Sequence, residues 1–277
     1  MRTVALPSGQ KVPAFGMGTW MLGDHRAERA EEIAALRIGL DAGATLIDSA
    51  EMYGEGRSED LVGEAIEGRR DTVFLVSKVL PHHAASRSLV ASCEASLRRL
   101  GTDRIDLYLL HWRGRVPLAE TVQAFVSLQR AGKIRHWGVS NFDLSDMEEL
   151  WSLELGAGAA TNQVLYNLSR RGVEWALAPR LFERHVPLMA YSPVDQGKLL
   201  RNAKLAGFAR ANGMTASQAA LAWLLAKDDV IVIPRTGHRH RMRENLGALE
   251  YRLSTEQLAE LDRLFPPPNG PRPLEML

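Results

Sequence analysis

Three polar residues end apolar runs of this chain, and a fourth lies close by. Asp48 ends Leu46-Ile47-Asp48, and Lys78 ends Val73-Phe74-Leu75-Val76-Ser77-Lys78. His111 ends Leu107-Tyr108-Leu109-Leu110-His111. An ammonium at the end of a buried run must be paired or lose its proton. Asp48 is the natural partner for Lys78. Tyr53 follows Asp48 by five residues, in a glycine-containing loop that can fold over the same end. An adjacent ammonium favours phenolate, so the Tyr53 pKa is expected to fall from its usual value of about 10. Such a phenol can serve as a general acid near neutral pH. A neutral His111 can orient or polarise a carbonyl.

These groups need a scaffold that brings strand ends together. Eight short apolar runs are expected strands: 15–18, 45–48, 73–78, 105–111, 134–140, 160–164, 188–192 and 230–234. Continuous apolarity suits parallel strands covered on both faces. Amphipathic stretches between them, at 31–41, 88–100, 117–131 and 215–226, are expected helices. Ser254-Thr255-Glu256-Gln257 reads as a capping box that opens a last helix. Alternating strand and helix gives a parallel sheet. Eight units suggest closure into a (β/α)8 barrel, the TIM-barrel architecture, with an open doubly wound sheet as the alternative. Val4–Leu6 and Lys11–Pro13 flank Ser8-Gly9-Gln10 and form an expected N-terminal hairpin that could plug one end. No linker divides the chain, so residues 1–277 are expected to form one domain.

A barrel places its chemistry at the C-terminal strand ends. Polar residues recur there: Asp48, Lys78, His111, Ser140 with Asn141, Gln163, Tyr191 with Ser192, and Arg235 with Thr236. An open dinucleotide-binding sheet would instead carry G-x-G-x-x-G after its first strand. Gly16-Met17-Gly18 and Gly156-Ala157-Gly158 begin that pattern, but Met21 and Thr161 occupy the third glycine position.

Composition narrows the class. The 277 residues are 45% hydrophobic and 24% charged, as in globular proteins. The 34 basic and 33 acidic residues give a net charge of +1 and no general attraction to nucleic acid or anionic membrane. The single cysteine, Cys93, excludes an intrachain disulfide and reads as packing. The N-terminus does not read as a signal peptide, and no run approaches a membrane span. A cytoplasmic setting is expected.

The motifs resemble the aldo/keto reductase family over nearly the whole chain, in order. Leu46–Gly54 is similar to its first signature, Leu107–Trp112 to its histidine strand and Gly132–Phe142 to its central signature. Asn162–Val164 and Ala190–Pro193 are similar to its nicotinamide-side motifs. Ile233–Thr236 with Arg241, Glu244 and Asn245 is similar to its adenosine-phosphate motif. The resemblance implies NADPH as cofactor and Asp48, Tyr53, Lys78 and His111 as catalytic tetrad. It implies that Ser140, Asn141 and Gln163 hold the carboxamide and that Tyr191 stacks on the nicotinamide. Ser192, Pro193, Gln196, Gly197 and Leu199 would follow the pyrophosphate. Ile233, Pro234, Arg235, Thr236, Arg241, Glu244 and Asn245 would hold the adenosine phosphate. Gly18, Thr19, Trp20 and Asp48 would also border the cofactor. Trp20, Tyr53, His111 and Trp112 would meet a small carbonyl substrate.

Two departures stand out. Arg235 occupies a position where the family usually has lysine, and Thr236 one where it usually has serine. The loop after His111 and the tail beyond Pro266 are short. This implies a shallow pocket suited to small reactive carbonyls, as in bacterial methylglyoxal-reducing members. No metal is expected, and the assembly is expected to be a monomer or weak oligomer.

Each residue also has a plainer reading. Asp48 alone could be a cap, Lys78 a snorkelling side chain, His111 a core histidine and Tyr53 a surface aromatic. Trp20, Trp112 and Met52 could line a substrate pocket or, equally, be packing. Asp103 and Asp106 could be a glycosidase pair, but turn and strand-start roles are favoured. His82-His83 and His238–His240 lack metal-ligand spacing. Arg239, Arg241 and Arg243 could be a solvated helix face, although their place after the last strand favours Arg241 for phosphate. Two other classes remain open: an NADPH-binding regulator and a barrel hydrolase using Asp48 or Asp106.

Overall fold

The computed structural model describes residues 1–277. Strands β1 (Thr3–Ala5) and β2 (Lys11–Pro13) form the antiparallel hairpin. Eight strands then run parallel in chain order: β3 (Gly16–Gly18), β4 (Leu46–Asp48), β5 (Phe74–Val79), β6 (Ile105–Leu110), β7 (Ile134–Ser140), β8 (Ala159–Leu165), β9 (Leu188–Tyr191) and β10 (Val230–Ile233). All eight expected strands form. Ten α-helices are present: α1 (Arg29–Asp41), α2 (Arg57–Ala65), α3 (Ser86–Arg99), α4 (Leu118–Arg130), α5 (Leu144–Ser152), α6 (Leu177–Glu183), α7 (Ala203–Ala211), α8 (Ala216–Leu225), α9 (Arg239–Gly247) and α10 (Thr255–Leu264).

The ring closes at a seam between the first and last barrel strands. Val232 N donates to Ala14 O at 2.8 Å, and Gly18 N donates to Pro234 O at 3.0 Å. A Cβ on Gly18 would lie 3.0 Å from Ile233 O, so the seam calls for glycine there.

Apolar strands pack on both faces, as their sequences require. Their outer sides meet the helices in the larger core, with Ile47, Leu75, Tyr108, Trp137 and Val232 among the buried residues. Their inner sides build a second cluster of Leu46, Phe74, Val76, Leu107, Leu109, Met189 and Ile231. Val4, Leu6, Val12 and Ala14 of the hairpin join this inner cluster. The hairpin is therefore a stopper for the barrel interior.

Helix termini follow local chemistry. Ser254 Oγ accepts from Gln257 N at 3.3 Å while Gln257 Oε1 accepts from Ser254 N at 2.7 Å, completing the expected box on α10. Thr215 and Gln218 repeat it on α8, and Asp143 and Asp146 on α5. Helix α6 carries Pro179 in its first turn, where the missing N–H costs no intrahelical bond.

Candidate active site

Asp48, Lys78 and His111 come together at the C-terminal mouth of the barrel, and Tyr53 folds over them. Lys78 is fully buried. Its Nζ donates to Asp48 Oδ2 at 2.8 Å, to Ser49 O at 2.8 Å and to Tyr53 Oη at 3.0 Å. All three protons of the ammonium are thereby used. Asp48 Oδ1 accepts from Gln163 Nε2 at 2.7 Å. A continuous chain runs Gln163–Asp48–Lys78–Tyr53.

Electrostatics follow from this packing. Burial alone would push the Lys78 pKa down, but Asp48 and Tyr53 outweigh it and the pKa rises. Lys78 remains an ammonium. The expected drop of the Tyr53 pKa is not found. Burial dominates and raises it, against the lowering pull of Lys78. Tyr53 is thus a neutral phenol throughout the neutral range, with its proton available. His111 is lowered from 6.5 to about 2, first by burial and then by Lys78. Its ring stands 5.7 Å from the Tyr53 ring, edge on, and its Nδ1 is buried without a hydrogen-bond partner.

Tyr53 sits on a tight turn. Gly54 and Glu55 both have positive φ, at 58° and 56°. That turn bends the chain from β4 back across the mouth, which puts the phenol over Lys78 rather than in solvent.

A cleft of about 1010 Å3 opens over these groups. Tyr53, Asp48, His111 and Trp112 line one end, with Ser140, Asn141, Gln163 and Tyr191 beside them. Ser192, Pro193, Gln196 and Gly197 flank its middle, and Arg235, Thr236, Arg241, Glu244 and Asn245 line the other end. Gly18, Trp20 and Ile233 complete the expected set. Three expected residues stand behind the wall instead. Thr19 is buried and donates Oγ1 to Asp48 O at 2.9 Å. Leu199 is packed in the core, and Pro234 contributes its carbonyl to the seam. Lys78 also lies beneath the surface, behind Tyr53.

The amide end is preorganised. Tyr191 Oη donates to Asn141 Oδ1 at 3.0 Å, and Asn141 Nδ2 donates to His111 O at 3.1 Å. Ser140 Oγ donates to Gln163 O at 2.8 Å. Toward the other end Arg235, bridged to Gly18 across the seam, donates Nε to Trp20 O at 2.8 Å and Nη2 to Met21 O at 3.1 Å. Arg241 is exposed on the first turns of α9.

This donor set fits an elongated dinucleotide. Guanidinium groups at one end suit phosphate oxygens. Side-chain amides, phenol rings and the His111 imidazole line the other.

The apolar lining extends beyond the expected residues to Met21 and the tail. Met21, Met52, Leu200, Met276 and Leu277 all line the cleft. With Trp20 they make up most of the large apolar side chains exposed on this chain. Clustered exposure of this kind marks a binding surface. Of the two readings open for Met52, pocket lining is the one found; the tail residues carry no local signal. The tail is short, yet it returns to the mouth, so the pocket has a wall that the short-tail reading omitted. The loop after His111 is short and drawn tight. Arg113 Nη1 donates to Gly114 O and Val116 O at 2.8 and 3.1 Å.

The competing constellations disperse. Asp106 lies at the opposite end of β6, buried between Arg70 at 2.7 Å and Arg135 at 2.9 Å. Asp103 pairs with its neighbour Arg104 at 3.2 Å. His83 Nδ1 lies 3.0 Å from Glu51 Oε1, and no cluster of three or more His, Cys, Asp or Glu is placed to hold a metal. Cys93 is buried and its thiol is pushed up to about 12, which leaves it protonated. No helix is long and apolar enough to cross a membrane.

Comparison with known proteins agrees with this geometry. Residues 14–265 match the profile of the Aldo/keto reductase family. Methylglyoxal reductase YeaE of Escherichia coli strain K12 is 47% identical over 271 residues, spanning 96% of this chain and 95% of that protein. An aldo/keto reductase from Klebsiella pneumoniae, solved with NADP and acetate, superposes with a TM-score of 0.97 at 48% identity over 99% of both chains. A second Klebsiella pneumoniae aldo-keto reductase structure, with NADPH, gives 0.97 at 47% identity over 100% of this chain and 99% of that one. The chain belongs to the aldo/keto reductase family.

Proposed function

We propose that this protein reduces small reactive aldehydes and ketones, methylglyoxal among them, with NADPH as hydride donor. The observation that carries the reading is the buried Gln163–Asp48–Lys78–Tyr53 chain, which ends on a phenol facing the cleft. The enzyme is an NADPH-dependent oxidoreductase of its family. When bound, the cofactor supplies the hydride that reduces the carbonyl carbon.

The residues divide the remaining work. Tyr53 donates its proton to the carbonyl oxygen as that oxygen gains charge. The Lys78 ammonium, 3.0 Å away, stabilises the phenolate that is left. Asp48 holds Lys78 charged and in place. Neutral His111 orients the carbonyl from the side. Ser140, Asn141 and Gln163 hold the carboxamide, and the Tyr191 ring supports the nicotinamide face. Arg235 and Arg241 take the adenosine phosphate, with Thr236, Glu244 and Asn245 around them. Ser192, Pro193, Gln196 and Gly197 follow the pyrophosphate, with Leu199 packed behind them.

The substrate end is bordered by Trp20, Met21, Met52, Trp112, Met276 and Leu277. This apolar rim offers few hydrogen-bonding groups to a sugar. The methylglyoxal-reducing relative, at 47% identity, favours the same class. An intrinsically electrophilic carbonyl needs little remote binding energy. We further propose a single-domain enzyme, monomeric or weakly associating and located in the cytoplasm.

The test is kcat/KM with NADPH for methylglyoxal, a nitrobenzaldehyde, an open-chain aldose and a ketosteroid. Methylglyoxal and the nitrobenzaldehyde should lead. A steroid or aldose ahead of methylglyoxal by about tenfold, or roughly 1.4 kcal/mol of transition-state binding, would overturn the substrate assignment.

A further inference from the structure

The loop after β8 contacts both walls of the cleft. Asn167 Nδ2 donates to Ser192 O at 2.9 Å. Ser192, Asp195 and Gln196 all have positive φ, at 50°, 48° and 52°. Three non-glycine residues in this region within five positions make a strained segment that its surroundings must hold. Asp195 is buried, and its Oδ1 has no hydrogen-bond partner. The one cation near that oxygen is Arg170, whose Nε lies 3.7 Å away.

Arg170 reaches in a second direction as well. Its Nη1 is paired with Glu275 of the tail. Glu275 immediately precedes Met276 and Leu277, which line the cleft mouth. Met276 and Leu277 share that cleft with Tyr191. The neighbouring Arg171 anchors the preceding helix. It donates Nη1 to Asp262 at 2.7 Å and to Phe265 O at 2.5 Å, and its guanidinium lies over the Trp223 ring. The tail is thus led out from a fixed helix end and caught again at Glu275.

We propose that Arg170 is a positioning residue that couples the two walls: it holds the Ser192–Gln196 segment through Asp195 and the substrate-side tail through Glu275. The proposal rests on the reading above, in which that segment follows the cofactor and the tail borders the carbonyl. One guanidinium shared by two carboxylates on separate segments makes each segment's order depend on the other. Cofactor held by the first wall therefore steadies the second, which supplies the apolar face for the substrate.

The experiment compares full-length wild type, Arg170→Gln and Glu275→Gln. Glu275 is a surface residue, so its substitution leaves the fold intact even if Arg170→Gln does not. NADPH affinity is read by fluorescence, KM for methylglyoxal by steady-state rates, and amide exchange of residues 274–277 with and without NADPH. Partly exposed ion pairs of this kind are worth up to about fivefold in an equilibrium constant. Arg170→Gln should weaken NADPH and raise KM by about two- to fivefold each. Glu275→Gln should raise KM and, because the coupling is reciprocal, also weaken NADPH, by less than Arg170→Gln does. NADPH should slow exchange of the tail amides in wild type and lose that effect in both variants. Unchanged NADPH affinity and KM in Arg170→Gln, or NADPH protection of the tail persisting in Glu275→Gln, would overturn the coupling. Binding and exchange are measured without turnover, so a failure of the reductase reading, seen as no NADPH oxidation with any carbonyl, is separately visible.

Discussion

Lys78 Nζ stands 3.0 Å from the Tyr53 hydroxyl and 4.7 Å from the centre of its ring. The ammonium is therefore beside the proton that must move and cannot reach water. Tyr53→Phe should lower turnover by about 100- to 10,000-fold, the range of a lost general acid. NADPH affinity should stay within about twofold, since the phenol is not among the phosphate or amide contacts. Stopped-flow and fluorescence titration check the two halves. A variant with more than half of normal turnover would refute the assignment of Tyr53.

Lys78→Met leaves Asp48 buried without its cation. That should cost about 3–5 kcal/mol of stability as well as turnover. Lys78→Met with Asp48→Asn removes both charges and should recover part of the stability but none of the rate. Urea midpoints and initial rates on wild type, Lys78→Met and the double variant separate the two effects.

The two cleft arginines should behave differently. Arg235 already spends two donors on Trp20 O and Met21 O, whereas Arg241 is exposed on the cleft wall. Arg241→Ala should weaken NADPH by about tenfold or more, from loss of a charge-assisted bond. NADH, which lacks the 2′-phosphate, should barely change. Arg235→Ala should weaken both cofactors, because it also frees the loop that carries Trp20. Equal losses for both cofactors in Arg241→Ala would show a structural role.

The pH behaviour follows from the direction of each shift. His111 titrates near 6.5 when exposed and at about 2 in the fold. Above 6.5 it is neutral in both states and its contribution to stability is complete. Between 6.5 and about 2 the unfolded chain takes up a proton that the folded chain refuses, so stability falls with pH. His111→Asn should flatten the loss of melting temperature between pH 7 and 5. The Tyr53 pKa is raised, so its acid form persists throughout the neutral range. Activity should therefore show no His111 limb above pH 5 and no loss from phenolate formation below about pH 10.

Arg171 sits with only 8% of its surface exposed, between Glu174 and Asp262 at 2.7 Å each and over Trp223. Arg171→Ala should cost about 1–3 kcal/mol, because it removes the donor to Phe265 O and the cation over Trp223 and leaves the partly exposed Glu174 and Asp262 without their partner. Chemical denaturation measures this directly. A loss under 1 kcal/mol would show that solvent already screens the cluster.

Much of the site was legible because it breaks a local rule. Asp48, Lys78 and His111 are polar groups at the ends of apolar runs, and such groups need partners. Eight strands were visible for the same reason: apolar on both faces, they can only lie between two layers. Helix α5 was not named although Asp143 and Asp146 box its start, because aspartate took the place of the usual glutamate or glutamine. The sign of the Tyr53 shift was missed because it depends on burial depth, a tertiary quantity. Met276 and Leu277 were missed because their position is set by pairing Glu275 with Arg170, which lies far upstream in the chain.

The stopper and seam have a consequence for synthesis. Residues 2 and 14 bond to positions 228 to 232: Arg2 donates to Asp228 O and Val230 O, and Ala14 O accepts from Val232 N. The first strand of the ring thus waits for the last. During translation more than two hundred residues must emerge before the barrel can close, and loop-closure entropy makes such distant pairing slow. Until then the inner apolar face of the growing sheet has an unpaired edge, and that edge is where a nascent chain would pair with its neighbour. Lower expression temperature or a holding chaperone should therefore raise soluble yield, and deleting the first fourteen residues should abolish it.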